Sequence, residues 1–475
     1  MMSISTTVKA IQDIMRKDAG VDGDAQRLSQ LVWMIFLKVF DAREEELELD
    51  DDYKSPIPEA LRWRTWAIAE GGITGSELLD FIDRQLFPTL KGLVAKADER
   101  GRMVGRVFED ANNYMKNGTL IRQVINKLNA IDFNKQQDRH QFGDIYEKLL
   151  KDLQGAGNAG EYYTPRAVTQ FIVDMVNPQL GEVVLDPACG TGGFLTCALE
   201  HLRQQSQSAD DVVTLRETVR GVEKKPLPYH LCITNLILHD LDLPRLEHDN
   251  TLSRPLLDYS NRDRVDIIIT NPPFGGMEED GIESNFPTAL RTRETADLFL
   301  VLIMHLLKDG GRGAVVLPDG TLFGEGVKTR IKEKLLEDCN LHTIVRLPNG
   351  VFNPYTGIKT NLLFFTKGEP TQEIWYYEHP YPQGVKSYNK TKPIHISEFD
   401  REKSWWGDRM ENELAWRVSI DEIRANNYNL DIKNPHAAEV NHGDFEDLLA
   451  DYASLMAGLS ETRNALKQEL MESLS

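Results

Sequence analysis

Val184-Leu185-Asp186-Pro187-Ala188-Cys189-Gly190-Thr191-Gly192-Gly193-Phe194-Leu195 is the stretch on which the fold turns. Two aliphatic residues end on an acid, a turn of small residues follows, and Phe194-Leu195 opens a new apolar run. That is a buried strand entering a tight turn onto a helix. Glycines in such a turn let the backbone approach a ligand with no Cβ in the way. The spacing departs from Gly-x-Gly-x-x-Gly, and no lysine follows as a P-loop requires, so dinucleotide and nucleoside triphosphate readings are disfavoured.

Outward from this turn, short aliphatic or β-branched runs alternate with helical stretches. They are Glu182–Leu185, Thr218–Val222, Val265–Thr270, Gly313–Leu317, Leu341–Arg346 and Thr360–Thr366. Alternation of this kind predicts βαβ units and a mostly parallel sheet covered by helices. Ligands of such sheets bind beyond the carboxyl ends of the strands, and the chemically suggestive residues fall there.

The strand Val265–Thr270 ends in Asn271-Pro272-Pro273-Phe274. An exocyclic amine on an aromatic base is a weak nucleophile because its lone pair is delocalised into the ring. The Asn271 side-chain carbonyl and the Pro272 backbone carbonyl can accept its two N–H donors and draw the nitrogen toward tetrahedral geometry. The prolines fix φ and make those acceptors rigid, and preorganised dipoles stabilise developing charge. Phe274 offers a face on which a base can stack, and a base inside a duplex must be flipped out to reach it. An isolated Asn-Pro would be read as an ordinary turn; the glycine turn upstream argues otherwise.

The first 155 residues read as a helical domain, with Leu28, Leu31, Val32, Ile35, Phe36, Val39 and Phe40 spaced for one face of an amphipathic helix. The acidic run Glu44–Asp52 reads as a solvated helix end and loop. A catalytic region over 156–370 follows, then an irregular stretch over 371–440. Residues 441–475 form a last helix, in which Phe445, Leu448, Tyr452, Leu455 and Leu459 recur at steps of three and four, as in a coiled-coil seam. Docking on a partner and packing on its own domain are both open for that helix.

Length, at 475 residues, calls for two or three domains. The four cysteines, Cys189, Cys197, Cys232 and Cys339, show no metal-ligand spacing, which predicts a reducing compartment and no metal site. The longest apolar run, Leu31–Leu37, is far short of the roughly 20 residues a membrane span needs, so the protein is expected in the cytoplasm. The net charge of −20 is poor for a lone DNA binder, because affinity for nucleic acid comes largely from lysine and arginine on phosphates. A partner is expected to supply most of the grip.

The glycine turn resembles the cofactor loop of class I S-adenosylmethionine-dependent methyltransferases, a Rossmann-like α/β fold. In that resemblance Asp186, Gly190, Thr191, Gly192 and Gly193 cradle the amino-acid part of the cofactor, Glu223 accepts the ribose hydroxyls, and Asp249 receives the adenine amine. Gly160-Glu161-Tyr162-Tyr163-Thr164-Pro165-Arg166 places Thr164 as a helix N-cap with proline in the first turn. Its position before the cofactor strand resembles the motif lining the methionine side of the cofactor, which implies that Glu161, Tyr162, Tyr163, Thr164, Pro165 and Arg166 help bind it.

Asn-Pro-Pro-aromatic occurs in adenine-N6 DNA methyltransferases and in enzymes that methylate a glutamine amide, so the tetrapeptide alone leaves the substrate open. With Leu317-Pro318-Asp319-Gly320, Arg346-Leu347-Pro348 and Asn427-Tyr428-Asn429-Leu430-Asp431, nearly the whole chain resembles the modification subunit of type I restriction-modification systems. That resemblance implies site-specific methylation of adenine N6 in double-stranded DNA. It also implies a complex with a specificity subunit, a restriction subunit and a second copy of the modification subunit. Arg291, Arg293 and Lys359 could touch DNA near the pocket, though each reads first as a surface charge. The rivals are methylation of cytosine N4, against which Asn271 argues because serine usually opens that tetrapeptide, and a non-catalytic scaffold, against which the intact Asp186, Glu223, Asn271 and Phe274 argue.

Overall fold

The computed structural model describes residues 4–69, 71–95, 98–135, 142–143, 146, 164–353, 356–389, 391–436 and 445–473. Nine strands form one sheet: β1 Val184–Asp186, β2 Val219–Glu223, β3 Arg245–His248, β4 Val265–Thr270, β5 Leu307–Pro318, β6 Cys339–Arg346, β7 Thr360–Lys367, β8 Glu373–Glu378 and β9 Ala415–Ser419. Their order is β3-β2-β1-β4-β5-β7-β6-β8-β9. From β3 to β5 every neighbour is parallel; β7 runs antiparallel between β5 and β6. All six expected strands are present and the α/β class holds.

The strand order reverses between β1 and β4, and the crevice above such a switch point is where an open α/β sheet takes its ligand. Side chains alternate across the sheet. Ile267 and Ile269 of β4 join one core while Ile268 joins the other, and a register shift between Val265 and Ile267 puts Val265 with Ile268; Leu362 and Phe364 of β7 likewise part from Leu363 and Phe365. Burial on both faces explains why the central strands read as continuous apolar runs.

Two differences from expectation have simple causes. The helix Asp24–Leu47 buries the expected face, but Trp33, Met34 and Leu37 are also buried, because this helix runs through the middle of the helical region and packs on the helix Pro226–Leu238. Glu44, expected in a solvated run, is 1% exposed. It accepts from Arg100 Nη2 at 2.7 Å and from the Tyr53 hydroxyl at 2.6 Å, partners that a buried carboxylate requires.

The helical region and the sheet share one continuous core, and the described residues up to Lys433 form one compact unit. Arg43 fastens the two parts with a fork to Asp242, at 2.5 and 2.9 Å. The stretch expected to be irregular, 371–440, supplies β8 and β9 to the sheet as well as the helices Asp400–Gly407 and Ile420–Ala425. Residues 434–475 form the second unit, whose helix Phe445–Ser473 exposes Leu449, Tyr452, Leu455, Met456, Leu459 and Leu466. Among the described residues no helix is long and apolar enough to cross a membrane.

Candidate active site

The glycine turn leaves β1 at Asp186 and enters the helix Gly193–Arg203. Gly190 and Gly192 have φ of 53° and 83°, a region other residues enter only at a cost. At Gly192 a Cβ would come within 2.7 Å of Cys232 Sγ, so the turn is wedged against the helix Pro226–Leu238. At Gly190 nothing lies within 4 Å of the Cβ position, so that side of the turn is open.

Carboxylates mark three successive strand ends. Asp186, 1% exposed, accepts from the Thr270 hydroxyl at 2.7 Å and from the Ala188 amide at 3.1 Å. Burial pushes its carboxyl up to about 7, against the pull of those two donors. Glu223, closing β2, accepts from Gly190 N at 2.8 Å and Lys225 N at 2.7 Å, which ties the glycine turn to the neighbouring strand. Asp249 follows β3, and its amide donates to Glu223 O at 3.1 Å. An open turn flanked by three carboxylates suits a ligand that carries an ammonium, a ribose diol and an aromatic amine, and therefore fits an adenosyl sulfonium cofactor.

The tetrapeptide Asn271-Pro272-Pro273-Phe274 stands at the next strand end. The Thr270–Asp186 bond joins the tips of β1 and β4 and brings Asn271 beside the glycine turn. Asn271 Nδ2 donates to Thr164 Oγ1 at 2.9 Å, while Asn271 Oδ1 is buried with no hydrogen-bond partner among the described residues. A buried carbonyl without a donor costs about 1–3 kcal/mol, so it stands as an acceptor awaiting an N–H. Phe274, 4% exposed, meets Phe352 edge-to-face at 6.4 Å between centroids. A base stacking on Phe274 must displace what covers that ring.

Of the residues expected in the upstream motif, Glu161, Tyr162 and Tyr163 lie outside the described residues. The helix begins at Arg166 with Pro165 at the N-cap, one residue later than expected. Thr164 is therefore not the cap, and its hydroxyl is turned to Asn271 instead. Arg166 reaches the helix Gly193–Arg203, donating to Thr196 Oγ1 at 2.8 Å and pairing with Glu200 at 2.7 Å. Thr191 contributes a backbone carbonyl that accepts from Asn235 Nδ2 at 3.2 Å, on the far side of the turn. Arg291 donates to the Phe286 carbonyl at 3.0 Å, and Arg293 pairs with Asp280 at 2.7 Å. Phe352 and Glu278 carried no signal in the sequence: one lies in the turn-rich stretch Asn349-Gly350-Val351-Phe352-Asn353, the other in what reads as a charged loop.

Comparison with known proteins agrees over the whole length. A family model described as N-6 DNA Methylase matches residues 137–444, and one described as HsdM N-terminal domain matches residues 4–128. The methylase subunit of the type I restriction enzyme EcoEI from Escherichia coli is 60% identical, over 100% of this chain and 99% of its own length. That of StySPI from Salmonella potsdam is 30% identical, over 86% of this chain and 78% of its own. Among solved structures, a modification subunit of a type I restriction enzyme from Vibrio vulnificus YJ016 matches with a TM-score of 0.84 and 45% identity, over 93% of this chain and 99% of that one. A chain from a study of complex assembly in a type I restriction-modification system gives 0.83 and 36%, over 98% and 99%.

Proposed function

From the premise that this chain belongs to the N-6 DNA methylases, as a type I modification subunit, we propose how its residues carry out the transfer. The reaction is methylation of adenine N6 in DNA, and the chain is the methylase of a restriction-modification complex. The observation that carries the assignment of residues is the buried, unpartnered Oδ1 of Asn271.

S-adenosylmethionine, when bound, supplies an electrophilic methyl on a sulfonium. Gly190, Thr191, Gly192 and Gly193 cradle its amino-acid part, with Asp186 toward the ammonium. Glu223 takes the ribose hydroxyls, and Asp249 takes the adenine amine. Tyr162 and Tyr163, with Glu161 and Pro165, line the methionine side; Thr164 and Arg166 hold the adjoining elements.

Asn271 Oδ1 and the Pro272 carbonyl accept the two N–H groups of the flipped adenine and restore the lone pair on nitrogen. Pro272 and Pro273 keep those acceptors from rotating away as charge develops, and Phe274 stacks on the base. The proton lost from the methylated amine leaves to solvent.

The division of labour follows the expected segments: 1–155 as the helical domain, 156–370 with its continuation 371–440 as the catalytic domain, and 441–475 for docking. The exposed seam of Leu449, Tyr452, Leu455, Met456, Leu459 and Leu466 is the surface for the specificity subunit. A second modification subunit and the restriction subunit complete the complex, and the net charge of −20 supports leaving most of the DNA grip to those partners. Four free, buried thiols support a cytoplasmic setting.

Methylome sequencing of cells expressing the chain with its specificity partner, with mass analysis of the modified nucleoside, tests the reading. N6-methyladenine at one bipartite site is expected; N4-methylcytosine as the only product would overturn it.

A further inference from the structure

Glu278 lies four residues beyond Phe274, inside a charged run that reads as solvent-facing, yet it is 8% exposed. Its Oε2 accepts from Lys224 Nζ at 3.2 Å and Asn250 Nδ2 at 3.1 Å, and its Oε1 from Thr295 Oγ1 at 3.2 Å. Lys224 directly follows Glu223, and Asn250 directly follows Asp249. The two donors to Oε2 are thus the chain neighbours of the two acids assigned to the adenosine of the cofactor.

The segment around Glu278 is also anchored from behind. Thr295 N donates to Gly276 O at 3.1 Å, Glu278 N to Arg293 O at 2.9 Å, and Arg293 Nη2 to Glu278 O at 3.2 Å. At its other end the segment begins with the stiff Pro272-Pro273 pair. A carboxylate this buried needs all its partners, so moving Lys224 or Asn250 drags on the loop that holds Phe274.

We propose that Glu278 is a positioning residue that couples occupancy of the adenosine site to the pose of the target-base loop 271–280. The proposal rests on the assignment of Glu223 and Asp249 above. Adenosine bound between those acids fixes their backbone, Lys224 and Asn250 then hold Glu278, and the Asn271–Phe274 segment is set before a base arrives. Linkage is reciprocal, so a captured base must tighten cofactor binding by the same factor.

The test is hydrogen exchange of the full chain with and without S-adenosylhomocysteine, with binding followed by calorimetry. In the unaltered chain, exchange across 271–280 is expected to slow about tenfold on binding, a coupling of ordinary size. Glu278→Ala should bind the probe and lose that protection. Glu278→Gln, whose single carbonyl can replace Oε2 as the acceptor for Asn250 while its NH2 donates to Thr295 Oγ1, lacks only the charge facing Lys224 and should restore part of it. In the assembled methylase Glu278→Ala should lower kcat about tenfold while KM for the cofactor moves less than about threefold. Binding without protection in the unaltered chain overturns the coupling and leaves the assignment of the cofactor site standing, and this arm decides even if Glu278→Ala does not fold. Failure to bind the probe at all overturns both. Full protection retained in Glu278→Ala overturns the role of Glu278.

Discussion

Thr164 Oγ1 accepts a 2.9 Å hydrogen bond from Asn271 Nδ2 and so decides which end of that amide faces the pocket. With the amide reversed, an NH2 group would meet the adenine amine, donor against donor. Thr164→Val keeps the shape and removes the acceptor. One neutral hydrogen bond is worth about 1 kcal/mol, so kcat should fall about fivefold, with Thr164→Ser near the unaltered value. A change confined to KM for the cofactor would assign Thr164 to cofactor binding alone.

Asn271→Ala removes one of the two acceptors. Cofactor binding should persist, while turnover falls about 10²- to 10³-fold, the usual loss for a preorganised dipole in a transition state. Single-turnover methylation beside calorimetry separates the two, and retained turnover would refute the role.

Cofactor affinity is expected to depend on pH through Asp186. Its carboxyl, raised by burial to about 7, holds a proton in the empty protein at pH values where an exposed aspartate is ionised. The folded value lies above the unfolded one, so the group's destabilisation of the fold grows as pH rises from the ordinary carboxylate range to about 7 and is constant beyond. An ammonium beside it favours the ionised form and pulls in the opposite direction. Affinity for S-adenosylhomocysteine should therefore rise about tenfold between about pH 5.5 and pH 7. Asp186→Asn should bind weakly with a flat profile; the same slope in that variant would place the titration elsewhere.

The exposed seam of the last helix predicts a loss of assembly. Leu455→Asp with Leu459→Asp puts two charges into an apolar stripe and should abolish co-elution with the specificity subunit, while circular dichroism of the chain stays unchanged. Normal co-elution of the double variant would move the docking surface to another face.

What the sequence made legible follows burial. Strands covered on both faces, such as Val265–Thr270, announce themselves as unbroken apolar runs. β3, Arg245–His248, escaped because it is an edge strand that buries only Leu246. β8 and β9 escaped because their tyrosines and tryptophans, among them the stacked Tyr376 and Trp416, read as irregular aromatic chain. Asp186, Glu223, Asp249 and Asn271 were legible as strand-end positions because each closes a strand or directly follows one. Glu278 and the second role of Thr164 were not, since side-chain partners 54 and 107 positions away leave no local pattern.

The Thr270–Asp186 bond has a consequence for synthesis at the ribosome. Its two ends are 84 positions apart, and Asn271 lies 107 beyond the threonine that orients it. A nascent chain has no pocket until β4 has emerged and slotted in beside β1, so a product that stops short of Asn271 lacks the site altogether.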